Sequence, residues 1–395
     1  MPTALIVIKT IPFLLSIVAN MFYLLSMLAG YRFFSSGENG EENRASEALP
    51  PVTIMIPLRG VDFGAYRNYA SFCKQAYPEF QIVFGVQDAA DPAVPLVKRL
   101  AADFPQCDIE VVVCAGSHGQ NAKVSNLQNM LPRVKHEYIV IVDSDIRVGR
   151  EYLKNVIPPL ADPKVGLVTC LYRAAETPDF GARLEAIAIT GEVAAGVLMA
   201  RMFEGGIKFA LGATMATTRA KLDEIGGFAV LADYLADDFM LGKLISHCRY
   251  EVRLSRYVVE TAMAPTGFMG MVRHQMRWAR STRASRPLGY FGLIVTYGTA
   301  MAVLTTIADG ASQASLMLLG TTLAIRMAMA WLIGVHWLGD RILRRDLWLV
   351  PVRDLLSLVV WMLGLVGRKV EWRGRWLEVA RGGKIVLAKS GLEVP

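Results

Sequence analysis

The stretch Tyr138-Ile-Val-Ile-Val-Asp-Ser-Asp-Ile-Arg147 is an apolar run of strand composition that ends on two carboxylates one residue apart. A buried strand delivers Asp143 and Asp145 to its carboxyl end, where open α/β sheets bind ligands, and alternate carboxylates there suit a hard divalent cation carrying a diphosphate. The pattern points to a nucleotide-sugar site. A local reading competes with it, because Asp and Ser also bond their own backbone in turns and helix caps. The surrounding chain has to decide.

Working outward, residues 53–58 and 81–86 read as short buried strands, 109–114 as another, and 62–75, 95–104 and 123–131 as helices between them. Strand and helix alternate up to the Asp-Ser-Asp strand, the signature of a parallel sheet with right-handed crossovers. Acidic clusters follow strands, so Asp88, Asp91, Asp143 and Asp145 are expected on one edge of the sheet. Downstream the pattern is less regular. Residues 165–171 read as a strand, and 184–202 as a weakly polar helix that lies in a membrane interface or packs on the sheet. Asp237 and Asp238 open a further helix, and His274-Gln-Met-Arg-Trp278 stands in a basic segment.

The chain has 395 residues, 53% of them hydrophobic, and a net charge of +7. This is too apolar for an ordinary soluble domain and long enough for two or three domain-sized units. The apolar residues concentrate at the two ends. Residues 10–31 carry no charge over roughly the 20 residues a bilayer core requires, and 288–308, 314–338 and 347–366 form three more candidate spans. A cleaved signal peptide fits residues 10–31 poorly, since the apolar core is too long and no clear small-x-small site follows. Arg326, Arg353 and Asp354 fall inside candidate spans, where charges are costly unless paired or facing a polar path.

The organisation expected is an anchor over 1–34, a Gly/Ser/Glu/Asn-rich linker over 35–50, a catalytic domain over 51–287, a membrane region over 288–367 and a basic tail over 368–395. Arg32, Arg273, Arg277, Arg280, Arg283 and Arg286 flank the middle domain and put it in the cytoplasm by the positive-inside rule. Counting four spans then sends the tail outside, yet Arg368, Lys369, Arg373 and Arg375 argue for the inside. Either one C-terminal segment is re-entrant or the rule is broken. The five cysteines show no Cys-x-x-Cys pair and read as reduced packing residues. Positive charge without a basic, aromatic-interleaved module fits an anionic membrane surface and a diphosphate, with no nucleic-acid partner.

Taken in order, Val86-Gln-Asp-Ala-Ala-Asp-Pro92, Ala122-Lys-Val-Ser-Asn126, Val142-Asp-Ser-Asp-Ile-Arg-Val148, Val165-Gly-Leu-Val168, Ala236-Asp-Asp-Phe-Met240 and the Arg277-Trp278 pair resemble the ceramide glucosyltransferase family. These are inverting membrane enzymes whose bacterial relatives include hopanoid-type transferases. The resemblance implies an α/β GT-A domain, a Rossmann-like mixed sheet, with flanking transmembrane helices. It also implies a UDP-sugar donor, a membrane-lipid acceptor and a divalent cation, magnesium or manganese. By the same resemblance Asp91, with Asp88 beside it, would bond the uracil or ribose, and Lys123 would neutralise diphosphate oxygens. Asp143 matches the family's second aspartate, and Asp145 completes a metal-binding Asp-x-Asp that some relatives lack. Asp238 matches the third aspartate, the general base, with Asp237 as the internal competitor. Arg277 would clamp the leaving diphosphate and Trp278 pack on sugar or acceptor, while His274 replaces the Gln or Arg usual at its position.

The reaction expected is transfer of a hexose from a UDP sugar to a lipid hydroxyl, with glucose and ceramide favoured by the resemblance. The alternatives are a hopanoid transferase adding N-acetylglucosamine to a polyol lipid, and a processive polysaccharide synthase, for which four spans are too few to build a polymer channel. A non-catalytic membrane scaffold leaves the acidic clusters after strands unexplained.

Overall fold

The computed structural model describes residues 2–35, 49–113 and 115–387. Most of the expected linker, Cys114 and the last eight positions of the tail lie outside the described residues. By internal packing the chain forms two units. One comprises Met1–Ser35, Thr177–Met202 and Pro265–Gly383, the other Ser36–Glu176, Phe203–Ala264 and Lys384–Pro395. The sequence reading ended the middle domain at 287; packing groups 177–202 and 265–285 with the apolar helices instead.

The second unit is built on a mixed eight-stranded sheet. Its strands are β1 (Val52–Pro57), β2 (Phe80–Val86), β3 (Asp108–Val113), β4 (Tyr138–Ile141), β5 (Ile146–Arg147), β6 (Val165–Glu176), β7 (Met215–Thr218) and β8 (Glu251–Ala262), in spatial order β3-β2-β1-β4-β7-β6-β8-β5. The β3-β2-β1-β4 half is parallel, as strand–helix alternation demands. The apolar runs of β1, β2 and β4 are buried on both faces: every residue of β1 is buried, and Ile54, Ile56, Phe84 and Val140 sit in one core with Tyr69, Phe72 and Leu100 from the crossover helices. Beyond β4 the order changes character. β7 returns antiparallel to β4, with Ile141 opposite Met215. This reversal brings the residues that precede β7 beside those that follow β4, which is where the candidate site forms.

The first unit is helical. Four helices are long and apolar enough to cross a membrane: Lys9–Ser35, Phe180–Phe203, Gln313–Trp337 and Arg341–Gly364. The expected span over 288–308 is broken into Pro287–Thr296 and Gly298–Ala308, which meet at 57°. Phe180–Phe203, left open between interface and sheet by the sequence, packs among helices: Leu184 and Ile187 share a core with Met271, Ala330, Leu343 and Val350. Arg353 and Asp354 lie in Arg341–Gly364, Arg326 in Gln313–Trp337, and a short hairpin of β9 (Lys369–Trp372) and β10 (Arg375–Val379) follows.

The intramembrane charges are paired. Arg326 is 1% exposed and grips Asp354 through Nε–Oδ2 at 3.1 Å and Nη2–Oδ1 at 2.8 Å. The Thr299 hydroxyl donates to Asp354 Oδ2 at 2.5 Å, and the Tyr23 ring lies 5.6 Å from the guanidinium. A buried pair of this kind gains little over a well-packed apolar pair, but breaking one side strands the other charge at a cost of about 3–5 kcal/mol. Asp354→Leu should therefore lower the thermal unfolding midpoint in detergent sharply, whereas Arg326→Met combined with Asp354→Leu should recover most of the loss. Equal damage in the single and double variants would show that the two charges do not depend on each other.

Candidate active site

The exits of β1, β2 and β4 lie on one edge because the three strands are parallel. Asp91, after β2, accepts from the Gly60 N–H at 2.9 Å and from Ala93 N–H at 2.8 Å, so it ties the β1 exit to the next helix. Asp88 is exposed and accepts from Ala90 N–H at 2.9 Å. After β4, the Ser144 hydroxyl bonds Asp62, which binds the β1 exit to the Asp-Ser-Asp turn.

Lys123 is the hub. Asn121 caps its helix by accepting from Lys123 N–H at 2.9 Å and Val124 N–H at 3.1 Å, and the Asn121 amide donates to Tyr234 O at 2.7 Å. The ammonium then lies 2.7 Å from Asp143 Oδ1 and 2.9 Å from Asp237 Oδ2. One cation thus joins the exit of β4 to the first turn of the Asp237–His247 helix. Burial works against its charge, but Asp143, Asp237 and Asp238 together hold the lysine well above its ordinary value.

The two neighbouring aspartates have different surroundings. Asp237 is buried and committed to Lys123. Asp238 accepts from Gly212 N–H at 2.9 Å and from Phe239 N–H at 2.7 Å. Its carboxyl is pushed up to about 6 by burial and by the Asp237 carboxylate, with Lys123 pulling the other way. Gly212, which the sequence reading did not single out, permits this approach: a Cβ there would stand 2.6 Å from Asp143 Oδ2 and 3.3 Å from Asp238 Oδ2. Only its place just before β7 marks it, and that strand was not legible.

Asp145 accepts from the Thr261 hydroxyl at 3.0 Å. Burial, then the charges of Asp143 and Asp62, push its carboxyl up to about 7. The donor set around the Asp-Ser-Asp turn is therefore all oxygen and carries more negative charge than Lys123 balances. That fits magnesium or manganese. Among the described residues no three His, Cys, Asp or Glu side chains converge on one point. Asp143 and Asp145 would hold part of the coordination of an ion that keeps waters and arrives with a diphosphate.

His274, Arg277 and Trp278 belong to the other unit, on the Gly267–Ser285 helix. His274 Nδ1 pairs with the buried Glu185 carboxylate, and its ring centroid lies 5.0 Å from that of Trp278. Glu185 was not foreseen from sequence, because nothing in an apolar helix announces which polar residue faces a partner.

A model of glycosyl transferase family 21 matches residues 11–385. Ceramide glucosyltransferase 1 of Caenorhabditis elegans is 21% identical over 387 residues, which is 96% of this chain and 82% of that protein. The ceramide glucosyltransferase of Candida albicans is 29% identical over 133 residues, 30% of this chain and 24% of that one. Among solved structures, a mannosyltransferase from Pyrobaculum calidifontis in complex with GDP-Man and Mn2+ superposes with a TM-score of 0.51 at 19% identity, covering 88% of this chain and 99% of that one, and so shares the GT-A fold. By the extent of the family match and the fold, the chain belongs to glycosyl transferase family 21, alongside the ceramide glucosyltransferases, and is a glycosyltransferase.

Proposed function

We propose that the protein transfers a hexose, with inversion, from a UDP sugar to the hydroxyl of a membrane lipid, glucose to ceramide being the leading pair. The observation that carries the reading is the Lys123–Asp143–Asp237 bridge with Asp238 beside it at Gly212. The relatives named ceramide glucosyltransferase support the lipid acceptor. Its test is incubation of the purified protein in detergent with a panel of UDP sugars and a total lipid extract. Mass spectrometry should find a hexosylated ceramide, and a hexosaminylated polyol lipid would favour the hopanoid alternative.

In this mechanism Asp143 and Asp145 would hold a divalent cation, which when bound would supply positive charge against that growing on the departing diphosphate. Lys123 adds a fixed positive charge on the same side, held in place by Asp237. Asp88, exposed at the β2 exit, is free to accept from the nucleoside, whereas Asp91 has both oxygens engaged by backbone and shapes the loop. Asp238 takes the proton of the acceptor hydroxyl as its oxygen attacks the anomeric carbon opposite the UDP. Two backbone N–H groups aim its carboxylate, and burial raises its basicity towards neutrality. Arg277 is assigned to the leaving diphosphate and Trp278, steadied by the Glu185–His274 pair, to the sugar or lipid.

Contacts within the helical unit support a membrane arrangement with three crossings. At one end of Lys9–Ser35, Lys9 meets Asp309 at 3.2 Å; midway, Asn20 donates to Thr322 at 3.0 Å; at the other end, Phe34 stacks on Trp337 at 5.7 Å. The broken pair Pro287–Ala308 and Gln313–Trp337 therefore run the length of the first helix in opposite senses, and each counts as a crossing. Arg341–Gly364 does not. It starts beside Gly334, touches Thr299 in mid-bundle through Asp354, and ends where Trp361 Nε1 donates to Tyr290 O at 2.9 Å. Both of its ends thus stay on the side of Ser35. Phe180–Phe203 is joined at both ends to one sheet, since β6 precedes it and β7 follows, so it does not cross either. The tail returns as well: Ile385 N–H donates to Asp233 O at 2.7 Å. Three crossings then leave the catalytic unit and the basic tail both in the cytoplasm, and the charge conflict of the four-span count disappears.

Asp143→Asn and Asp145→Asn should weaken metal-dependent UDP binding while the fold survives; affinity indifferent both to magnesium or manganese and to the substitutions would remove the metal role. Asp238→Asn should bind UDP sugar nearly as well as wild type and lose about 10²-fold or more in single-turnover transfer, with Asp237→Asn costing less. Because the base acts ionised and its carboxyl is raised to about 6, kcat/KM of the wild type should fall as pH drops through that value. An active Asp238→Asn beside a dead Asp237→Asn would reverse the assignment. For the membrane arrangement, Ala311→Cys should react with an impermeant maleimide on intact cells, whereas cysteines placed in the 36–48 linker or at Lys384 should react only after permeabilisation. Labelling of Lys384→Cys from outside would restore the fourth crossing.

A further inference from the structure

The catalytic proposal leaves one set of buried charges unused. Arg353, from Arg341–Gly364, is 2% exposed and donates from Nη2 to Gln275 Oε1 at 2.8 Å. Its Nε stands 3.7 Å from Glu192 Oε1, an ion pair beyond hydrogen-bond reach, while the Ser357 hydroxyl donates to that same oxygen at 2.7 Å. Glu192 lies in a π-helical turn, Ile189–Val193, a local widening that recurs at functional sites. Three buried donors remain without an acceptor: Nε and Nη1 of Arg353 and Nε2 of Gln275. Buried donors almost always find a partner, and more so in apolar surroundings. Here the surplus is all on one side, donors in excess of acceptors.

We infer that Arg353, Gln275, Glu192 and Ser357 form the subsite that recognises the polar headgroup of the lipid acceptor. Carbonyl and hydroxyl oxygens of such a headgroup would accept from Arg353 and Gln275, and a headgroup hydroxyl would donate to Glu192, whose side chain is 27% exposed. Charge selects the class. Arg353 and Arg326 are already matched by Glu192 and Asp354, so a neutral, oxygen-rich headgroup such as an N-acylated amino alcohol fits, and an anionic phospholipid headgroup meets the Glu192 carboxylate. In the three-crossing arrangement the cluster sits where Gln275, on the helix leading into the second crossing, meets a helix that dips into the bundle from the cytoplasmic side. The inference rests on the lipid-acceptor reading above.

The test uses full-length protein in detergent, with UDP-glucose as donor and a short-chain N-acyl sphingosine as acceptor probe, comparing wild type with Glu192→Gln, Gln275→Leu and Ser357→Ala. The expected result is an acceptor KM raised tenfold or more in Glu192→Gln and Gln275→Leu, with the donor KM and UDP binding close to wild type. Ser357→Ala, which removes one hydroxyl, should shift the acceptor KM in the same direction by a few-fold. An unchanged acceptor KM in all three, or a joint fall of stability and of both substrates' constants, would make the cluster a structural network and overturn the subsite. A wild type that glycosylates no lipid would instead overturn the acceptor reading itself.

Discussion

One ammonium group holds the catalytic geometry. Lys123 pulls the exit of β4 and the start of the Asp237–His247 helix onto a common point, and everything nearby is fitted to that junction. Asn121 fixes where the lysine emerges, Gly212 has no Cβ because two carboxylates pass within reach of it, and Asp237 is used up in the bridge so that Asp238 is not. A single positive charge among several carboxylates is also an unbalanced arrangement. In the proposed reaction a diphosphate approaching it would meet repulsion unless further positive charge came with it, so the imbalance would itself select the donor.

The helical unit solves a different electrostatic problem. Arg326 and Asp354 neutralise each other inside apolar surroundings, with Thr299 and Tyr23 completing the cage. In the proposed three-crossing arrangement this pairing would let Arg341–Gly364 dip into the bundle and return, because its charged residues reach partners on neighbouring helices. Phe180–Phe203 likewise has the composition of a span, and in the chain it stands between two strands of one sheet.

The parallel half of the sheet was legible because buried parallel strands are continuous apolar runs, and the Asp-Ser-Asp exit marked where their ligand edge lies. β7 and β8 were not. Met215-Ala-Thr-Thr218 is too short to show a period, and β8 carries Glu251, Arg253 and Arg256 on a half-buried face that reads as loop or helix. Gly212 and Thr261 stayed hidden with those strands. Asp237 and Asp238 could be found as a pair from sequence, but their separation into an ion-pair ligand and a backbone-aimed carboxylate depends on Lys123, more than a hundred positions away. Hydropathy alone leaves the basic tail open, because it scores composition, and a helix whose polar residues are paired inside a bundle has the same composition as one that spans.

The two units end up with opposite surpluses. Around the Asp-Ser-Asp turn the sheet offers carboxylate oxygens in excess of cations, while around Arg353 the helices offer N–H donors in excess of acceptors. On the reading proposed above, each surplus would be relieved by a different ligand: a cation-bearing diphosphate for the first, a neutral oxygen-rich headgroup for the second. Neither ligand relieves the wrong site, since a diphosphate meets Glu192 beside Arg353 and a neutral headgroup brings no charge to balance Asp143 and Asp145. Discrimination between donor and acceptor would then follow from the sign of what each unit leaves unpaired, independently of the shape of either site.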